Sequence, residues 1–173
     1  MSAGAPAVQV PETLDAWRMV AARRQFDGRV ALSALSRLAD SLADTEGECS
    51  FTLEFGHDAL QVPFIELTLD AGLPLVCQRS LERFVFPVKA VQRLGLIRDE
   101  EQEAALPPGY EPLLVPEDGM LRPLDLVEDE LVLALPVVPV APDSEPVDRT
   151  WSASEEEQQA ASPFAALAAL KKK

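Results

Sequence analysis

The side chains with chemical reach are two cysteines, one histidine and a few short runs of carboxylates. Cys77-Gln78-Arg79-Ser80 has the outline of half a zinc knuckle, Cys-x-x-Cys, with a hydroxyl in place of the second thiol. A closed structural zinc site takes four nitrogen or sulfur ligands. Cys49, Cys77 and His57 are the only thiols and imidazole in the chain, so such a site is not expected. His57 lies in a Gly-His-Asp stretch that reads as a turn, and no nucleophile accompanies it locally. Cys49 falls on the apolar phase of an alternating segment and reads as a small buried hydrophobe. Asp99-Glu100-Glu101, Glu128-Asp129-Glu130 and Glu155-Glu156-Glu157 are contiguous runs. Adjacent helical side chains fan around the axis and do not converge, so these runs read as solvated faces and not as metal or acid–base sites. The 8 glycines form no phosphate-cradling cluster. No catalytic, metal or cofactor site is expected, and no small-molecule substrate.

The cations are more patterned. Arg18, Arg23, Arg24, Arg29 and Arg37 are accompanied only by Asp27, and Arg79, Arg83, Lys89, Arg93 and Arg98 only by Glu82. Residues 99–157 hold 17 acids and two arginines. Either the arginine segments make a basic flank, or they neutralise acids on a shared surface; composition leaves both open. The net charge of −14 disfavours a whole-molecule nucleic-acid glove, because sequence-independent affinity comes from cations meeting phosphates.

These groups have to be held by a modest scaffold. A chain of 173 residues with 47% apolar content can bury a core without staples, and two cysteines make no disulfide framework. Met1 to Pro11 lacks the basic start of a secretion leader, and every apolar run falls short of the ~18 residues that span a bilayer. A cytoplasmic location without membrane contact is expected.

Pro11 to Asp27 reads as a lead-in and a short helix capped by Thr13 or Asp15, with Gly28 as its break. Leu32, Leu35, Leu38 and Leu42 recur every three or four residues and predict a core-facing helix over 30–44. Alternation predicts strands at 48–55 and 65–72, and further strands at 73–79 and 83–91. Pro74 and Pro87 place the latter two at edges or bulges. A loop or frayed turn follows at 99–108, a short strand at 111–115, and a helix from Leu124 to Leu135 stopped by Pro136. Short connections favour antiparallel pairing.

Several stretches together carry a resemblance. Cys77-Gln78-Arg79-Ser80-Leu81-Glu82-Arg83-Phe84 resembles the C-x-R-C-L-x-x-F segment of the bacterial large ribosomal RNA subunit accumulation proteins, the YceD family. Similar to that family are also Pro11-Glu12-Thr13-Leu14-Asp15, Ala105-Leu106-Pro107 to Tyr110-Glu111-Pro112, and the acidic helix Asp125 to Leu131 with its Leu133 to Pro139 exit. The terminal Pro163 to Lys171 completes the match, which runs in order over nearly the whole chain. The resemblance implies an accessory protein for 23S ribosomal RNA and not a described catalyst. Family members commonly carry a second thiol after the arginine and more cysteines or a histidine after the Leu-Pro-x-x-Pro exit. Here Ser80 and the thiol-free Pro142 to Pro146 stand in those places, so a metal role does not carry over.

The expectation is therefore an α+β domain over 1–141. Its antiparallel β-sheet, open or partly closed into a barrel, is packed by two or three helices. An acidic, proline-containing flexible linker over 142–162 and a short docking motif over 163–173 follow it. Partner contact is assigned to Phe164, Leu167 and Leu170, to Lys171, Lys172 and Lys173, and to Arg79 and Arg83. The expected partner is a ribosome-assembly factor or ribosomal protein, with indirect or local rRNA contact. Two other classes compete: an acidic, chaperone-like binder of basic ribosomal proteins, and an RNA-processing hydrolase.

Overall fold

A computed structural model describes residues 10–144. The elements, in chain order, begin with β1 (Leu14–Asp15), α1 (Ala16–Ala21), β2 (Gln25–Ala31) and a 3-10 turn (Leu32–Ala34). Next come α2 (Ser36–Ala39), β3 (Glu48–His57), β4 (Pro63–Val76) and β5 (Arg83–Ile97). A second 3-10 turn (Glu100–Ala105), β6 (Glu111–Leu114), β7 (Met120–Leu121) and α3 (Pro123–Leu133) complete the chain. Five strands form one open sheet in the order β2-β3-β4-β5-β6, and β1 pairs separately with β7. The sheet does not close into a barrel. The α+β class holds, and pairing is antiparallel throughout except that β6 runs parallel to β5. The linker expected beyond 144 and the motif at 163–173 lie outside the described residues.

Alternation builds the sheet. Cys49, Phe51, Leu53 and Phe55 on β3 and Ile65, Leu67, Leu69, Ala71 and Leu73 on β4 face inward and are buried. Their sequence neighbours Ser50, Thr52, Glu54, Glu66, Thr68 and Asp70 face out, as a two-residue side-chain period requires. Two strands expected over 65–79 are one, because Gly72 continues β4. A Cβ at Gly72 would lie 2.8 Å from Val85 Cγ1, so the bare backbone leaves room for that cross-strand neighbour. Pro74 lies past the end of β3 pairing, and its carbonyl accepts from the Ala43 N–H at 2.8 Å. Its missing N–H therefore falls on a side that needs none. Pro87 sits where β5 has no second neighbour, since β6 reaches only Leu94–Ile97.

The helix expected over 30–44 is not formed. β2 runs to Ala31, Leu32–Ala34 is a 3-10 turn, and only Ser36–Ala39 is α-helical. The leucine stripe does face the core: Leu32, Leu35 and Leu38 are buried and Leu42 packs against them. What breaks the helix is a carboxylate from α3. Glu128 Oε1 accepts from the N–H groups of Arg37 (2.7 Å) and Leu38 (3.2 Å), which a continuous helix would have given to carbonyls four residues back. Leu35 accordingly leaves helical geometry at φ −99°, ψ 88°. The strand Gln25–Ala31 was hidden by reading Gly28 as a break. Gly28 lies opposite Phe51, where a Cβ would come within 2.6 Å of the ring.

Glu128 also corrects the reading of Glu128-Asp129-Glu130 as a wholly solvated face. It is only 6% exposed, and its Oε2 accepts from Arg37 Nε at 3.0 Å. Burial pushes its pKa up, but the Leu38 and Arg37 amides and the Arg37 guanidinium outweigh this and hold it below the usual carboxylate range. The short helix α1 begins at Asp15, whose Oδ1 accepts from the Arg18 N–H at 3.0 Å, and it packs on β3 and β4.

Two substitutions test these packing statements. Gly28→Ala should cost about 1–3 kcal/mol through overpacking against Phe51, read as an earlier urea midpoint; an unchanged midpoint would mean the ring simply moves aside. Glu128→Gln should cost about 1–3 kcal/mol near neutral pH, because buried amides lose an ionised acceptor. A carboxylate with a depressed folded-state pKa stabilises fully above its unfolded value and loses that contribution as pH falls through the folded one. The gap between wild type and variant should therefore close below about pH 4.5, the ordinary value. A pH-independent gap would contradict the ionised capping role.

Candidate functional site

The residues named from sequence fall on two ends of the sheet. The β4–β5 connection, Cys77 to Glu82, turns tightly: Cys77 N–H donates to the Glu82 carbonyl at 2.9 Å and Leu81 N–H to the Cys77 carbonyl at 2.8 Å. The chain leaving α3 returns to this tip, where Gln78 N–H donates to the Pro139 carbonyl at 2.9 Å. Cys77 is buried beneath it, and its sulfur accepts from Ala141 N–H at 3.3 Å and Ser80 N–H at 3.5 Å. Hydrogen bonding from Ser80, chiefly its hydroxyl, and from Ala141 and Ser144 lowers the Cys77 pKa to about 6, against the burial that would raise it. Cys77 is a polar anchor that ties the chain's exit to the hairpin. Cys49, by contrast, lies in the apolar core, and desolvation pushes its thiol up to about 11.

Arg79 and Arg83 flank this tip but differ in availability. Arg83 Nη2 donates to Asp44 Oδ1 at 3.2 Å and also pairs with Glu46, which ties the hairpin base to the loop after α2. Arg79 is exposed and makes no ion pair among the described residues. Leu81, 69% exposed, stands beside it in left-handed backbone at φ 61°. Phe164, Leu167, Leu170, Lys171, Lys172 and Lys173 lie outside the described residues.

The remaining cations separate into two groups. Arg29 pairs with Glu48, Arg37 with Glu128 and Asp129, Lys89 with Asp70, and Arg93 with Glu66. Arg18, Arg23, Arg24 and Arg98 have no carboxylate within ion-pairing distance among the described residues, and all four are exposed. The fold gathers them around α1, because Arg98 at the end of β5 lies over the Trp17 ring, 4.2 Å from its centre. Both composition-level readings thus apply: the sheet neutralises one set of cations, and the α1 face keeps another.

Chain reading missed the pairing of Arg98 with Trp17, and it missed a second cluster at the same end of the sheet. Phe64 lies opposite Gly56 and Gly95, Arg93 sits 4.9 Å above its ring, and the Tyr110 hydroxyl donates to Asp58 Oδ2 at 2.7 Å. That hydrogen bond is the largest cause holding Asp58 below its ordinary pKa. Paired glycines flanking an aromatic on the neighbouring strand were the only local signal. His57 ends β3 as an exposed residue. Among the described residues no three histidine, cysteine, aspartate or glutamate side chains gather as metal ligands, and no helix is long and apolar enough to cross a membrane.

The anchoring role of Cys77 has a direct readout. In a Cys49→Ala background, thiolate ultraviolet absorbance should appear with a midpoint near pH 6. Adding Ser80→Ala should move that midpoint upward. A midpoint left at the ordinary thiol value, or one indifferent to Ser80, would contradict the hydrogen-bonded thiolate.

Comparison with known proteins agrees with the order of these features along the chain. The family model described as large ribosomal RNA subunit accumulation protein YceD matches residues 65–171, from β4 through the terminal motif. The large ribosomal RNA subunit accumulation protein YceD of Haemophilus influenzae is 30% identical over 172 residues, covering 96% of this chain and 98% of that protein. No solved structure matches. With half the chain and more under the family model and a full-length relative at that identity, the chain belongs to the YceD family of large ribosomal RNA subunit accumulation proteins.

Proposed function

We propose that the protein is a non-catalytic, cytoplasmic accessory factor for the synthesis, processing or stability of 23S ribosomal RNA during large-subunit assembly, and that it acts by binding. The observation that carries this reading is the match, over 96% of the chain, to a relative whose name records large ribosomal RNA subunit accumulation. An interaction role also suits the described surface, whose distinctive groups are unpaired arginines and exposed aliphatics and not converging catalytic side chains. The partner is a ribosome-assembly factor or a ribosomal protein. Phe164, Leu167 and Leu170 supply an apolar docking edge, Lys171 to Lys173 a basic end, and Arg79 the free charge at the hairpin tip. Arg83 serves that surface indirectly, by holding the hairpin base to Asp44.

Cells lacking the protein should show a reduced ratio of 23S to 16S ribosomal RNA, restored by the wild-type chain. Failure of the wild type to restore it would overturn the reading. Removal of residues 163–173 should abolish partner recovery in a pull-down; unchanged recovery would sink the docking edge. Repeating the pull-down at about 0.5 M salt separates the acidic, chaperone-like alternative, because contacts made by exposed charge alone are screened there. Ribosomal RNA incubated with the purified protein and a divalent cation should stay intact, and metal-dependent cleavage would favour a hydrolase.

A further inference from the structure

Four guanidiniums without carboxylate partners among the described residues, in a chain of net charge −14, lie on or beside one short helix. Arg18 projects from α1, Arg23 and Arg24 follow it, and Arg98 arrives from β5. The six residues of α1 rise only about 9 Å. Three carboxylates near them along the chain take other donors and none of these guanidiniums. Asp15 accepts from the Arg18 N–H at 3.0 Å, Asp99 from the Gln102 N–H at 3.2 Å, and Glu12 faces Arg122 at 3.9 Å.

Two of the four lie over aromatic rings, Arg98 at stacking distance and Arg24 farther out. Arg98 lies 4.2 Å from the Trp17 ring centre and Arg24 lies 5.9 Å from that of Phe26. A guanidinium stacked this way keeps its N–H edge free for a bidentate anion and its outer face free for another flat group. Arg23 occupies left-handed backbone at φ 48°, a helix-terminal position where glycine would be the unstrained residue. Beside them runs a groove of about 710 Å³, with Arg18 and Arg24 at its rim and Leu14, Met19, Phe26 and Met120 among its lining.

We propose that this α1 face is a contact site for single-stranded RNA, with Arg18, Arg23, Arg24 and Arg98 taking successive phosphates and the stacked Arg98 presenting its plane to a base. The proposal rests on the ribosomal reading above and supplies the RNA contact that reading leaves open. Stacked planes together with backbone-tracking cations are the combination that binds single strands without base-edge readout. An acidic protein segment would satisfy the charges but makes no use of the guanidinium seated over Trp17. The net negative charge does not forbid the contact, since exposed charges beyond about 8 Å are largely screened at physiological salt.

The test is fluorescence anisotropy of the full chain with a fluorescein-labelled oligouridylate of about 20 nucleotides, with fluorescein-labelled oligoglutamate as the competing probe. The oligouridylate should bind, with log affinity against log salt falling at a slope of about −3, since four single-strand phosphate contacts contribute about −0.7 each. Replacing Arg18, Arg23, Arg24 and Arg98 by Ser should weaken binding by about tenfold or more and flatten that slope. With two cations removed in each case, Arg18→Ser with Arg98→Ser should weaken binding, whereas Arg29→Ser with Lys89→Ser, on the outer sheet face, should leave it unchanged. With Trp151→Phe leaving Trp17 as the sole tryptophan, its emission should change on RNA addition. Absence of oligouridylate binding, equal loss from the sheet pair, or tighter binding of oligoglutamate would each overturn the proposal. Restored 23S ribosomal RNA in cells without RNA binding in solution would sink this site while leaving the accessory role standing.

Discussion

The alternation of β4 is the constraint on which the rest of the structure depends. Its inward side chains from Ile65 to Leu75 are buried, and its outward ones include Glu66, Thr68 and Asp70. Because the period is two, β3 and β5 inherit the same division through their register, and the sheet has one greasy and one wet side. The greasy side dictates where α1, α3 and the leucines at 32, 35 and 38 must lie. The wet side dictates which cations are neutralised: Arg93 is directly opposite Glu66, and Lys89 is directly opposite Asp70. Off the sheet no register supplies an acid: Arg37 and Arg122 meet carboxylates through loops and helices, whereas the arginines around α1 meet none among the described residues.

Much of this was legible in the chain. The alternation of 48–55 and 65–71, the short hairpin after Cys77, the prolines on unpaired edges and the helix that Pro136 closes all follow from local rules. The region 25–44 was not, for a specific reason. Leucines at three- and four-residue steps report burial on one face, and a bent segment of turn and single helical turn buries them as well as a helix does. The deciding information was the Glu128 carboxylate far along the chain, which no local period encodes. The parallel addition of β6 to β5 was likewise a tertiary choice, made after the Glu100–Ala105 turn carries the chain back along the sheet.

The candidate surfaces show the same split. Charge counting found both arginine segments but could not sort them, because pairing depends on strand register and not on composition. Of the two tip residues named from the chain, Arg79 has no acidic partner among the described residues and Arg83 is bound, a difference set by the loop carrying Asp44. Ser80 in place of a thiol was visible at once. That it would form a hydrogen bond with the remaining sulfur was not, since Ser144 and Ala141 complete the arrangement only when the exit segment folds back.

That return of the exit segment fixes a geometry for the whole molecule. The chain leaves the described domain beside Cys77, whereas the Arg24 carbonyl accepts from the Phe55 N–H at the opposite end of the sheet. Between these ends lies the stretch of β4 from Ile65 to Val76, roughly 36 Å at about 3.3 Å per residue. A strand of that reach puts the α1 arginines and the exit segment at opposite ends of one sheet, too far apart for one small contact to cover both.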